Sequence, residues 1–272
     1  MWIDTHCHLD ASEFGGLADS LAIAREAAAA GVSMVVIPAV DRHNFQAVAA
    51  LAATAPNAAY ALGIHPICVP HAVEADLLAL RARVAAAMDD ARFVAIGEIG
   101  LDFFIPALTE PAMREKQAHF FEQQLRIARD FDLPVLMHVR RAQDQVLKHL
   151  RKVRPPGGIA HAFNGSAQQA QIFIDLGFKL GFGGAMTFTR ALQIRRLATE
   201  LPLAAIVLET DAPDIAPAWL HPGRNSPAQL PAIGAVLAQL RGVDAGDIAA
   251  HTWQNALAAL PRLGPLLAGA LT

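Results

Sequence analysis

Trp2-Ile3-Asp4-Thr5-His6-Cys7-His8 reads as an apolar strand that runs directly into an acid and two histidines. The same junction recurs four times along the 272 residues. Gly97-Glu98 follows Phe93-Val94-Ala95-Ile96, His138 follows Pro134-Val135-Leu136-Met137, His161 follows Gly158-Ile159-Ala160, and Glu209-Thr210-Asp211 follows Ile206-Val207-Leu208. Chemistry set repeatedly at the ends of separate strands is the pattern of a parallel α/β barrel, whose strand carboxyl ends open onto a single mouth. Residues far apart in the chain then converge on one site.

The rest of the sequence supplies the barrel. Short runs at 33–39, 59–63, 93–97, 134–138, 158–162, 178–182 and 205–209 join residues 2–6 to make eight apolar strands rich in Val, Ile and Phe. Between them lie Ala- and Leu-rich amphipathic stretches at 17–30, 43–54, 73–88, 111–130, 142–151, 167–175 and 190–199, with another at 228–241 after the last strand. Thr109 or Glu110 before Pro111, and Ser226 before Pro227, suit helix starts. The expectation is an α/β fold, a (β/α)8 TIM barrel forming a single domain over 1–272, with an extra C-terminal helix near 245–259. Pro155-Pro156-Gly157-Gly158 reads as a helix-to-strand loop because a strand follows at once. The longest irregular stretch, 212–226, is expected as a lid or binding wall on the active face.

Composition narrows the function. With 54% apolar and 17% charged residues the chain can build a large core, and no run approaches the ~18 apolar residues of a membrane span. Cys7 and Cys68 are too few for a disulfide framework, and the first residues read as strand, not as a secretory leader, so the expected location is cytoplasmic. A net charge of −3 argues against a broad grip on duplex nucleic acid; a nucleic-acid role would be local, at an end or a short single strand.

Alternation in a strand puts Asp4, His6 and His8 on one face. An isolated pair of histidines would be read as core residues, but Glu98, His138, His161 and Asp211 at equivalent strand ends turn the reading toward metal. His6, His8, Glu98 and Asp211 complete one cation site; His138 and His161 make a second if Glu98 lends its other oxygen. A bridging carboxylate implies two divalent ions roughly 3.5–4 Å apart, an arrangement suited to displacement at phosphorus. Nitrogen and oxygen ligands favour Zn2+, Mn2+, Fe or Mg2+.

Around this set, His65, Arg140 and Asn164 are candidates for substrate contact, with a structural turn or a solvated arginine as the competing readings. Glu209 and Asp4 are candidates for orienting ligands from behind, and Asp102 for a loop cap or the same supporting role. Cys7, Cys68, His43, His71, His119, His149 and His251 read as packing or surface residues, and Gly181-Phe182-Gly183-Gly184 as a turn and not a phosphate loop.

Trp2-Ile3-Asp4-Thr5-His6-Cys7-His8, Gly63-Ile64-His65-Pro66, Ile96-Gly97-Glu98-Ile99-Gly100-Leu101-Asp102, Leu133-Pro134-Val135-Leu136-Met137-His138, His161-Ala162-Phe163-Asn164-Gly165-Ser166 and Leu208-Glu209-Thr210-Asp211-Ala212-Pro213 together resemble the TatD family of metal-dependent hydrolases. The resemblance implies an amidohydrolase-superfamily barrel with a dinuclear centre and 3′ exonuclease action on DNA ends, most readily single-stranded. It also implies that Asp211 orients or deprotonates the attacking water and that Glu98 joins the two sites. The family commonly has Phe-Ser-Gly where this chain has Phe163-Asn164-Gly165, and an acid where it has Arg141. Rival readings are a lactonase or amidase on the same barrel and a non-catalytic barrel stapled by metal; no membrane or obligate protein partner is expected. Many barrels of the first rival kind bridge their metals with a carboxylated lysine on the fourth strand, where this chain has Glu98.

Overall fold

Each apolar run becomes a strand because its side chains are buried on both faces, one toward the barrel axis and one toward the surrounding helices. The computed structural model describes residues 1–268. Its strands are β1 (Trp2–Asp4), β2 (Val32–Pro38), β3 (Ala58–Leu62), β4 (Phe93–Asp102), β5 (Val135–Arg140), β6 (Gly158–Ala160), β7 (Phe178–Phe182) and β8 (Ile206–Leu208). They form one sheet, every adjacent pair parallel, in the order β1 to β8. Past the formal strands the sheet draws together between its first and last members: Thr5 N and Oγ1 both donate to Leu208 O, and Asp211 N donates to His6 O.

Helices follow the strands as the periodicity predicts: α1 (Leu17–Ala29), α2 (Phe45–Thr54), α3 (Glu74–Ala87), α4 (Pro111–Asp130), α5 (Gln143–Val153), α6 (Ala167–Asp175), α7 (Leu192–Glu200) and α8 (Leu230–Arg241). Local chemistry sets their ends. Pro111 opens α4 after Glu110, and Ser166 caps α6 by accepting from Gln169 N while Gln169 accepts from Ser166 N.

The foot of the barrel holds one element that periodicity missed. Beyond the expected α9 (Ala245–Ala259) lies a short α10 (Leu263–Ala268). Leu260, Leu263 and Leu267 pack with Ile3, Val36, Ala61, Val94, Leu136 and Val207 in a second apolar cluster. Arg262 ties this plug down by donating to Phe93 O, Met88 O and Asp90 O.

Two strand expectations change. β4 runs on to Asp102, well past the expected 97, so Glu98 and Asp102 lie on the same strand. β1 stops at Asp4, and Ile3, not Asp4, belongs to the inner cluster. Simple alternation through Asp4, His6 and His8 therefore fails. The chain bends after Asp4, whose carboxylate accepts from His6 N, Thr210 N and Thr210 Oγ1, and this bend is what delivers the histidines.

Candidate metal centre

Glu98 is the centre of the site, and glycines put it there. A Cβ on Gly97 would come 2.6 Å from Leu136 Cβ, so only glycine lets β4 approach β5 this closely. Gly100, at φ +155°, sits against the backbone of His138, and the β4–β5 register shifts between Ile96 and Ile99. A bulge of this kind re-aims a side chain beside a functional site. Here it turns Glu98 into the mouth, 1% exposed.

The two oxygens of Glu98 face two separate sets of nitrogens. Oε2 lies 3.1 Å from His6 Nε2 and 3.2 Å from His8 Nε2. Oε1 lies 3.0 Å from His161 Nε2, 3.1 Å from His138 Nδ1 and 3.3 Å from His65 Nε2. Asp211 Oδ1 joins the first set, 3.6 Å from His6 Nε2 and 3.7 Å from His8 Nε2. The rings of His6 and His161 stack at 3.9 Å between the two sets.

Supporting contacts come from the residues behind. Asp102 does both things considered for it: Oδ1 caps the loop by accepting from Phe104 N and Ile105 N, and Oδ2 stands 3.0 Å from His138 Nε2. Glu209 accepts from Ala162 N and lies 3.5 Å from His161 Nδ1, too poorly aligned for a hydrogen bond. A Cβ on Gly181 would strike this same carboxylate, so the glycine run on β7 makes room for Glu209 and is no phosphate loop. Asp4 holds Thr210, the residue before Asp211, and burial pushes its carboxyl up to about 8.

His65 stands within the cluster and also lines the groove beside it. Its Nδ1 accepts from Ile67 N, so in the neutral ring the proton sits on Nε2, the nitrogen that faces Glu98. Arg140 and Asn164 are exposed on the rim of a groove of about 1050 Å³, into which His8, Glu98, His138, His161 and Asp211 also open. Residues of the 212–226 stretch form one wall of that groove. The wall is pinned by buried Asn225, whose Nδ2 donates to Thr210 O and Asp214 O. Nothing in the sequence singled out Asn225, since a lone asparagine before Ser226-Pro227 resembles any turn residue.

Burial and crowding set the protonation of the cluster. Burial, reinforced by nearby His161, pushes His6 down to about 3, and burial brings His65 down to about 4, so both offer neutral imidazoles. Burial would raise Glu98, yet His65, His6 and His161 around it hold it well below the ordinary carboxylate range. Burial opposes charge on His8 too, but Glu98 and Asp211 outweigh it and lift the ring to about 9. Asp211 is lifted by burial to about 6.

These residues fit divalent cations. Ligand atoms of His6, His8 and Glu98 gather within 4.8 Å of one another, as do those of His6, His161 and Asp211 and those of His65, Glu98 and His138. His6 Nδ1 and His161 Nδ1 are buried with no hydrogen-bond partner, which leaves lone-pair and proton demands unmet inside the cluster. Imidazole nitrogens beside carboxylate oxygens are the donor set that borderline and hard divalent ions take. The remaining histidines lie elsewhere: His119 pairs with Glu74, His149 with Glu122, and His251 bonds its own helix at Asp247 O.

A parallel barrel carrying this cluster at the carboxyl ends of its strands defines a metal-dependent hydrolase. The chain belongs to the family described as TatD related DNase, which it matches over residues 3–261. It is 40% identical over 255 residues to the uncharacterised metal-dependent hydrolase YjjV of Escherichia coli, covering 93% of this chain and 95% of that protein. The crystal structure of that TatD homologue superposes with a TM-score of 0.88 at 38% identity, over 96% of this chain and 98% of that one. The 3′-5′ ssDNA/RNA exonuclease TatD of Salmonella typhimurium is 34% identical over 260 residues, 93% of this chain and 96% of that protein.

Proposed function

We propose that this hydrolase cleaves phosphodiester bonds at the 3′ ends of single-stranded DNA, with two divalent ions sharing Glu98. The observation that carries the reading is the division of Glu98: one oxygen toward His6 and His8, the other toward His138 and His161. In this assignment His6, His8, Glu98 and Asp211 hold one ion, and Glu98, His138 and His161 the other. When bound, such a pair supplies Lewis acidity to phosphoryl oxygens and acidity to water. Mg2+, Zn2+ and Mn2+ all suit the donors.

The chain's own residues do the rest. Asp211 reaches the groove from the loop after β8 and takes the proton of the attacking water. Asp102 orients His138, Glu209 backs His161, and His65 stands against the shared carboxylate, so the cluster is held from behind before substrate enters. Arg140 and Asn164, on the rim, contact a backbone phosphate and the terminal nucleotide. The exonuclease name of the Salmonella relative supports the choice of substrate and of end.

The test is a single-stranded oligonucleotide labelled at its 5′ end and incubated with the metal-loaded protein. Progressive shortening from the 3′ end is expected, stopped by a chelator and by a blocked 3′ terminus. Turnover of a lactone or nitrophenyl ester while DNA ends stay intact would hand the site to the carbon–oxygen hydrolase reading.

A further inference from the structure

Beside the metal centre two guanidinium groups share one aromatic ring. Arg140 Cζ lies 3.9 Å and Arg141 Cζ 4.6 Å from the centroid of Phe104, a side chain 42% exposed. All three line the groove that holds His138 and Asp211. Stacking on a ring face fixes a guanidinium without using its fork of donors, which stays free for an oxyanion.

The charges of this corner do not balance. Among the described residues the one carboxylate within ion-pair distance of Arg140 is Asp102, at 3.9 Å, and that oxygen already serves His138. Among the described residues no carboxylate comes within ion-pair distance of Arg141. Asp144, three residues on, accepts from Gln169 instead. Both arginines also sit just before the first turn of α5, where the helix dipole is positive and further cations are disfavoured. Arg141 adds a backbone cost, standing at φ +54° without being glycine. Adjacent like charges and a helix N-terminus are two unfavourable electrostatic terms gathered at one exposed spot, and an anion would offset both.

We infer that Arg141, with Arg140 on the Phe104 ring, forms a subsite for a second phosphate of the substrate, the internucleotide group next to the one being cleaved. The inference rests on the phosphodiesterase reading and sharpens it. A site that grips two phosphates prefers a polynucleotide over any isolated phosphodiester, lactone or amide. Because Arg141 lies past the end of β5, in the turn before α5, it acts in binding and not in bond cleavage.

The experiment compares two substrates in the metal-loaded enzyme: an oligothymidylate, which has neighbouring phosphates, and bis(p-nitrophenyl) phosphate, which has one. For Arg141→Ala, KM for the oligothymidylate should rise about fivefold to tenfold with kcat little changed, the mark of lost uniform binding. The slope of log KM against log salt should fall by about 0.7, the value of one single-strand phosphate contact. KM for bis(p-nitrophenyl) phosphate should move less than about twofold, because the interaction removed is absent from that substrate. Arg141→Lys should restore most of the salt slope, which a merely structural arginine would not require. Equal effects on both substrates, or none on either, would overturn the subsite while leaving the nuclease reading intact. Wild-type enzyme that cleaves bis(p-nitrophenyl) phosphate but not the oligothymidylate would overturn both.

Discussion

The two ends of this barrel are made by the same eight strands and differ in almost every physical respect. At the foot, Ile3, Val36, Val94 and Val207 meet Leu260, Leu263 and Leu267 in an apolar plug that Arg262 ties to backbone carbonyls. At the mouth, the same strands continue into His6, Glu98, His138, His161 and Asp211, polar groups, most of them buried, that crowd against one another and against carboxylates behind them. Burial costs the foot nothing and costs the mouth heavily, since each ionised group there loses water. The contrast separates stability from activity: the foot should govern whether the barrel stays folded, the mouth what it does once folded.

The largest expected effect is at the mouth. Asp211→Asn should lower the rate of 3′-end hydrolysis by about 10²–10⁴-fold, because the amide keeps the shape but cannot accept the proton. Folding should survive: Asp211 stands at φ +55°, a conformation asparagine adopts readily. Thermal melts and turnover on one preparation check both halves, and near-wild-type rates would place the reacting centre elsewhere.

At the foot the roles should reverse. Leu263 is fully buried, and Leu263→Ala should destabilise the fold by about 2–5 kcal/mol through lost contacts and a residual cavity. Turnover at temperatures where the variant remains folded should match the parent. Loss of activity without a shift in the urea midpoint would break the division between the two ends.

A smaller effect belongs to the outer layer. Glu122 on α4 is bound by Arg126, Lys152 and His149, and hydrogen bonds from Arg126 and then Lys152 hold its carboxyl down at about 2. A depressed carboxylate stabilises the fold above its ordinary value of 4.5 and loses that contribution as pH falls toward about 2. Because Arg126 and Lys152 are largely exposed and screened, Glu122→Gln should cost about 1 kcal/mol or less at neutral pH. The difference from the parent should vanish at the acid end of that window, and a difference that grows below pH 4.5 would contradict the assignment.

The contrast between the ends also governs how much could be read in advance. Barrel strands announce themselves by short apolar runs, and an acid or histidine at the end of such a run is conspicuous, which is why the convergence of His6, His8, Glu98, His138, His161 and Asp211 could be expected from sequence. What alternation could not give is a bend or a bulge. The turn after Asp4 and the Gly97–Gly100 bulge depend on close approaches to β8 and β5 that no local pattern encodes. The nearness of His65 to Glu98 was illegible for a related reason: no local pattern encodes which way its ring turns, which Ile67 N fixes. Leu263 and Leu267 were passed over because a helix of one and a half turns has too few residues to show a period.

The account depends most on Glu98 serving two cations at once. Metal content at saturation, measured by elemental analysis on the parent and on two variants, tests this directly. The parent should carry about two divalent ions per chain. His138→Ala should keep the ion held by His6, His8 and Asp211 and lose most of the other, whereas Glu98→Ala should lose much of both. A parent that saturates at one ion, or a Glu98→Ala protein that retains as much metal as His138→Ala, would contradict the shared carboxylate and the dinuclear centre built on it.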